Sequence, residues 1–392
     1  MKSVGIYNLY WDTMGGGEAN AGALAEELSK KYEVTLLGPT EPNINVFSQH
    51  LGVDLSACSF QKATNDDEAS LASRQFDIFV NHTWMSSAVN EAASGVYLVM
   101  FPGNPRRFRS FVRSGAFRGL WTTARVLSFF LPRLTRYTNV FKRRIHSTQW
   151  LDSYQQFYSI SPFTADWTSH LWKKQSKILW PPASRENKER PKEKIILSVG
   201  RFFPPGSGHC KRQLELVEAF SALYSSGEIE GWRLVLAGGC APVGRDYYLK
   251  VRRAAQGLPI DVCINLAGPD LEDLFSRASL YWHATGYGQS ERKFPVRFEH
   301  FGISVVEAMA AGVVPLVLGT GGPAHTVRNE IDGLHWDSLK DLTEVTSRLM
   351  ADAQKMEEFS ASAQKRATEF DRATFGNSVQ ELFQNIEKGR KS

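Results

Sequence analysis

Short apolar runs alternate along this chain with longer stretches in which apolar residues recur at helical spacing. "SVGIYNLY" is followed by "EANAGALAEELSKKY" and then "EVTLLG", with "DIFVN" and "VYLVMF" further on. Such alternation implies βαβ units and a parallel sheet. The rhythm breaks at a polar, proline-flanked stretch, "PPASRENKERPKEK" at 181–194, and then restarts. Behind it come "IILSVG", the helical "RQLELVEAFSALYSS", "WRLVLAG", a helix around 245–256, "VCINLAG", a helix around 271–277, "LYWHA" and "VVPLVLG". The pattern predicts an α/β protein of two domains, residues 1–182 and 193–368, with a linker near 181–194. A last helix within 369–392 is expected to return to the first domain. Ligands of such sheets bind beyond the carboxyl ends of the strands, so the expected site is a crevice between the two domains.

Length agrees with this division, since 392 residues exceed one ordinary core. Charged residues make up 22% of the chain and the net charge is +5, so an anionic partner must be met by a local patch. Residues 103–150 supply one: eleven Lys and Arg, from Arg106 and Arg107 to Arg144, interleave with Phe, Leu and Trp and include no Asp or Glu. This segment predicts contact with an anionic membrane surface or an anionic acceptor; no nucleic-acid motif accompanies it. Cys58, Cys210, Cys240 and Cys263 are scattered and form no CxxC pair, which argues against a zinc knuckle or disulfide framework. "MKSVGIYNLYWD" runs straight into the first predicted strand, and no apolar run is long enough to span a bilayer. The expected setting is cytoplasmic, with peripheral contact to a membrane face.

Three stretches carry candidate chemistry. Gly15, Gly16 and Gly17 lie between the first strand and a helix, where bare backbone can approach an anion. After "LSVG", Arg201 follows the strand and a Gly/Pro loop delivers Lys211 to the next helix, two cations suited to a diphosphate. "FEHFGISVVEAMAAG" sets Glu299 just before a helix and Glu307 inside its first turns. Ser304 with Glu307 fits a capping box. Because the helix is apolar on nearly every face it should be buried, and a buried carboxylate demands partners. The hydroxyls of a ribose and of a second sugar would serve, with the amides around Phe301, Gly302 and Ile303 meeting the group between them. His82, ending "DIFVNH", is a further candidate.

"EHFGISVVEAMAAG" with its E-x7-E spacing, the "GGGE" turn, the Arg201 and Lys211 pair after "SVG", and "GTGGPAHTVRNEIDGLHW" resemble the family-four retaining glycosyltransferases. "LYWHATGYG" and "ISPFTADWTSHLW" are also similar to members of that family. The resemblance implies a GT-B fold, two Rossmann-like domains facing a central cleft, and a hexose moved from a GDP- or UDP-linked sugar to a glycan or lipid-linked acceptor. Its likeness to mannosyltransferases points to GDP-mannose. Glu307 would hold the donor ribose, Arg201 and Lys211 the diphosphate, and Gly15 and Gly16 would add amides from the first domain. Glu299 would contact the transferred sugar beside the amides of Phe301 and Gly302. Acceptor-side candidates are His82, Arg106 and Arg107, and neither metal nor cofactor is implied. Where many relatives carry a histidine after "VYLV", this chain has Met100, Phe101 and Pro102, so the likeness does not extend to a histidine at that point. Two other readings remain at this level: an idle scaffold that keeps the fold to hold lipid or nucleic acid, and a sugar-nucleotide epimerase.

Overall fold

The computed structural model describes residues 1–13, 15–103, 149–183, 190–206, 210–227 and 229–389. The described chain divides into two compact units. The first comprises Met1–Ile160, Thr164–Leu179 and Val379–Ser392, and the second Ser161–Phe163 and Trp180–Ser378.

The first unit is built on a parallel sheet of strands β1 (Ser3–Tyr7), β2 (Glu33–Gly38), β3 (Ser59–Lys62), β4 (Ile78–Asn81), β5 (Ser94–Val99), β6 (Gln156–Ser159) and β7 (Lys177–Ile178), in spatial order 3-2-1-4-5-6-7. The apolar runs are its central strands. β4 and β5 are buried along their whole length, as a sheet covered on both faces requires. β3, β6 and β7 escape the hydropathy pattern because they are short and partly polar. An aromatic cluster that includes Tyr7, Phe79, Tyr97, Tyr154 and Phe157 fills one side. The last helix, Arg372–Gly389, gives this unit its buried stripe Val379, Leu382, Phe383 and Ile386. That spacing is one helical face, and each such side chain contributes roughly 1.5 to 3 kcal/mol when fully buried. Lys2 paired with Glu387 (3.0 Å) and Gln380 donating to Glu27 (2.7 Å) frame the stripe.

His82 follows β4, with its amide donating to Tyr7 O (2.9 Å) and its ring only 2% exposed. Burial pushes its pKa down from 6.5 to about 4, so the folded chain keeps it neutral while the unfolded chain protonates it. The unfolded state therefore binds more protons between those values, and stability must fall as pH falls through that window. Acidification from pH 7 to 5 is expected to cost about 2 kcal/mol through this residue, and His82→Gln should remove that part of the slope. Denaturant midpoints of both proteins at the two pH values provide the check; parallel slopes would count against it.

The second unit repeats the architecture. Strands β8 (Ile195–Val199), β9 (Arg233–Gly238), β10 (Ile260–Ile264), β11 (Leu280–His283), β12 (Val314–Leu318) and β13 (Leu334–Trp336) form a parallel sheet in the order 10-9-8-11-12-13. The helices read at 245–256 and 271–277 are Arg245–Ala254 and Gly268–Arg277. The strand order reverses between β8 and β11, and the crevice beyond the carboxyl ends of those two strands is where such sheets take ligands.

Among the described residues, no helix is long and apolar enough to cross a membrane.

Candidate active site of the second unit

β8 ends at Val199 and leads into Gly200 and Arg201, while β11 ends at His283. Glycine at 200 makes room for its neighbour: a Cβ there would lie 2.5 Å from Lys211 Cγ, and the lysine stem would have to shift. The lysine stem runs along this bare backbone, and its ammonium pairs with Glu299 Oε2. Gln213 is buried and its amide donates to Gly200 O (3.1 Å) and Arg201 O (3.3 Å), which fixes the turn. Arg212, between Lys211 and Gln213, sits in the left-handed region at φ 58°, a conformation costing roughly 1 to 2 kcal/mol for a side-chain-bearing residue. Arg201 itself is exposed, and its guanidinium lies over the Phe203 ring at 4.9 Å.

The helix Ile303–Ala310 starts differently from the sequence expectation. Its N-cap is Gly302, at φ 97°, with no side-chain cap. Ser304 lies inside the first turn, so the capping box expected of Ser304 and Glu307 does not form. The Ser304 hydroxyl is instead 2.8 Å from the Tyr281 hydroxyl, which also reaches Val199 O (3.2 Å) and accepts from the Val199 amide (3.3 Å). This buried phenol ties the helix start to the end of β8. Burial raises its pKa; the hydrogen bonds to Ser304 and Val199 oppose the rise, while the charges of Glu307 and Glu299 add to it.

At this end of the helix the first amides, those of Ile303 and Ser304, have no acceptor within the helix and carry its positive pole. Val305, Val306, Ala308 and Met309 are buried, as the apolar pattern demands, and Glu307 is half-buried. Phe301 anchors the segment against Trp180 (5.6 Å) and Phe370 (5.7 Å).

Glu299 is held from behind by a glycine loop. The Gly322 amide donates to Glu299 O (2.7 Å), and Gly321 adopts φ 76° with its backbone against the same carbonyl. The Glu299 side chain is 18% exposed, and its Oε2 also lies 3.6 Å from His283 Nε2.

The structure therefore groups Lys211 with Glu299 and places the Gly302–Ile303 helix start, with Glu307 one turn on, at the end of β8. It does not draw Arg201 into the Lys211–Glu299 pair. Gly16 and Gly17 open the helix Gly16–Ser29 of the first unit, and the Gly15 amide donates to Glu18 Oε2 (2.8 Å) rather than standing open. His82 is in that unit too, with a buried ring. Arg106 and Arg107, with the basic run as far as residue 148, lie outside the described residues. Tyr281 and His283 lie in "LYWHATGYG" and Gly321 and Gly322 in "GTGGPAHTVRNEIDGLHW", stretches whose individual residues have no role assignable from the sequence alone. A polar residue closing an apolar strand was the available signal for His283. Among the described residues, no group of three or more His, Cys, Asp or Glu is placed to hold a metal ion.

A cation, helix amides and two carboxylates at a switch point suit a ligand with an anionic centre and hydroxyls on either side. Comparison with known proteins agrees. Residues 182–366 match the family described as glycosyl transferases group 1. The chain is 29% identical over 213 residues to the GDP-Man:Man(3)GlcNAc(2)-PP-Dol alpha-1,2-mannosyltransferase of Dictyostelium discoideum, covering 52% of this chain and 38% of that one. It is 28% identical over 253 residues to the Homo sapiens enzyme of the same name, covering 57% and 48%. The chain thus spans less than half the length of either relative. Among solved structures, HepE of Anabaena, crystallised with UDP, superposes with a TM-score of 0.66 at 14% identity over 98% of this chain and 100% of that one. The chain accordingly has the two Rossmann-like parallel-sheet units of the GT-B glycosyltransferases, and its residues 182–366 match the glycosyl transferases group 1 family.

Proposed function

We propose that this chain is a retaining glycosyltransferase that moves mannose from GDP-mannose to a lipid-linked acceptor. The observation that carries the reading is the Lys211–Glu299 pair beside the Gly302–Ile303 helix start. The donor's diphosphate would take Lys211 and the helix amides, with the exposed Arg201 swinging from Phe203 to join them. Glu307 would accept from the ribose hydroxyls and Glu299 from those of the sugar. As the bond between C1 and the phosphate oxygen breaks, that oxygen keeps the electron pair. The acceptor hydroxyl then bonds to the same face of C1 and passes its proton to the departing phosphate. Charge growing on the diphosphate is met by fixed cations and amides, so the reading asks for no metal and no resident cofactor. GDP-mannose and the lipid-linked acceptor are taken from the activity named for the mannosyltransferase relatives.

The test is transfer of labelled hexose from GDP-mannose and UDP-glucose to a lipid-diphosphate oligosaccharide. Product from GDP-mannose supports the reading. No turnover of either donor above background overturns it in favour of an idle scaffold, and interconversion of the free donor in favour of an epimerase.

The basic segment motivates a second expectation. Each Lys or Arg near an anionic surface contributes about 1 kcal/mol, so replacing Arg106, Arg107, Arg109 and Arg113 with glutamine should sharply reduce co-sedimentation with phosphatidylserine vesicles at low salt. Undiminished binding would remove the membrane from the proposal.

A further inference from the structure

Glu299 Oε2 is claimed from two sides. Lys211 pairs with it, and His283 Nε2 stands 3.6 Å away, just beyond hydrogen-bond length. His283 closes β11, in register with Val317 of β12, so its backbone is fixed in the middle of the sheet. Its side chain is 4% exposed, and neither ring nitrogen has a hydrogen-bond partner among the described residues. Buried polar groups left unpaired are rare and call for a reason.

Burial lowers the pKa of this imidazole. Glu299, whose oxygen is near enough to act on the ring as a weak acceptor as well as a charge, works against that shift and Lys211 with it. Among the described residues these are the charged groups that act on the ring. The ring is thus a neutral imidazole with one N–H to give. An acceptor close to Nε2 is the carboxylate oxygen that Lys211 now occupies.

We infer that His283 is a positioning residue: when a donor diphosphate draws Lys211 away, His283 Nε2 donates to Glu299 and holds that carboxylate where the sugar needs it. The inference rests on the nucleotide-sugar reading above. Donor binding would draw the Lys211 ammonium off this oxygen just as the position of Glu299 begins to matter, and His283 stands beside the same oxygen. A movement of under about 1 Å closes the new bond. The arrangement is therefore an exchange of partners on one oxygen, with the lysine serving the phosphates and the histidine taking its place.

The test uses protein labelled with ¹⁵N-histidine, with the His283 signals assigned by their loss in His283→Gln. Saturating GDP or UDP should move the His283 Nε2–H resonance downfield. In transfer assays His283→Asn, whose amide sits near the Nδ1 position, should lower kcat about tenfold while changing the donor KM less than about threefold. His283→Gln, whose amide reaches toward the Nε2 position, should recover kcat to within about threefold of wild type. A nucleotide that binds and leaves the imidazole signals unmoved overturns the exchange while sparing the donor reading. Equal impairment of the Asn and Gln variants does the same, because it marks a role in packing alone. If neither GDP nor UDP binds the wild-type protein, the donor reading itself fails and the exchange falls with it.

Discussion

Glu299→Gln is expected to lower kcat about a hundredfold while binding GDP no more weakly than the wild type, whereas Lys211→Met should lose affinity and turnover together. The difference follows from the ion pair between the two side chains. In the unliganded chain Lys211 is neutralised by Glu299, so a diphosphate must compete with a carboxylate for it. Glutamine removes the competitor and leaves the cation, so affinity holds or improves. What would be lost, on the proposed function, is a charge aimed at the reacting sugar, and removing one such preorganised group typically costs about 10²- to 10³-fold. Methionine at 211 removes charge-assisted hydrogen bonds worth about 1.5 to 3 kcal/mol each, or about 10- to 100-fold in affinity. Calorimetric titration with GDP, together with initial rates, distinguishes the cases. Weaker GDP binding by Glu299→Gln than by Lys211→Met would show that the pair is not a competition for one cation.

Gly322→Ala should destabilise the second unit by about 3 kcal/mol, a large effect for one methyl group. Its φ of −59° is open to any residue, so the reason is not backbone freedom. A Cβ at 322 would lie 2.1 Å from His300 O and 2.5 Å from the Phe301 nitrogen. Both are backbone atoms, and no flexible side chain can yield. Those atoms flank the stretch that presents Glu299 and the helix start, so surviving protein should also lose activity. Gly268→Ala is the matched control, for a Cβ there meets nothing within 4 Å. That change opens the helix Gly268–Arg277 with a better helix former and should be neutral or stabilise by up to about 1 kcal/mol. Denaturant midpoints compare the two; equal midpoints for Gly322→Ala and wild type would refute the close approach.

The sequence made some of this legible and hid the rest for identifiable reasons. Fully buried parallel strands are written as apolar runs, so β1, β2, β4, β5, β8, β9, β11 and β12 stood out. β3, β6 and β7 did not, because short strands toward a sheet edge carry Gln, Ser and Lys and lack the run. The apolar helix after Glu299 was legible from its composition, but its starting point was not. Ser304 and Glu307 satisfy the spacing of a capping box, while the chain uses the left-handed Gly302, whose conformation no periodicity reports. Charge revealed Lys211 and Glu299 as candidates, and it took coordinates to show them paired to each other. Arg201 illustrates the converse, since its place after the strand was readable and its stacking on Phe203 was not. His283 carries neither charge nor motif spacing, and its interest lies in an unmade hydrogen bond.

The close contact behind Lys211 extends one strand further. A Cβ at Gly238, which ends β9, would stand 2.0 Å from Gly200 O, so the two chain ends touch through glycine alone. That floor has no spare volume. Evolution can therefore retune what this lobe recognises by swapping residues on the loops that overhang it, but not by growing side chains up from beneath. Divergent descendants of this chain should differ in their rims while sharing one bare floor.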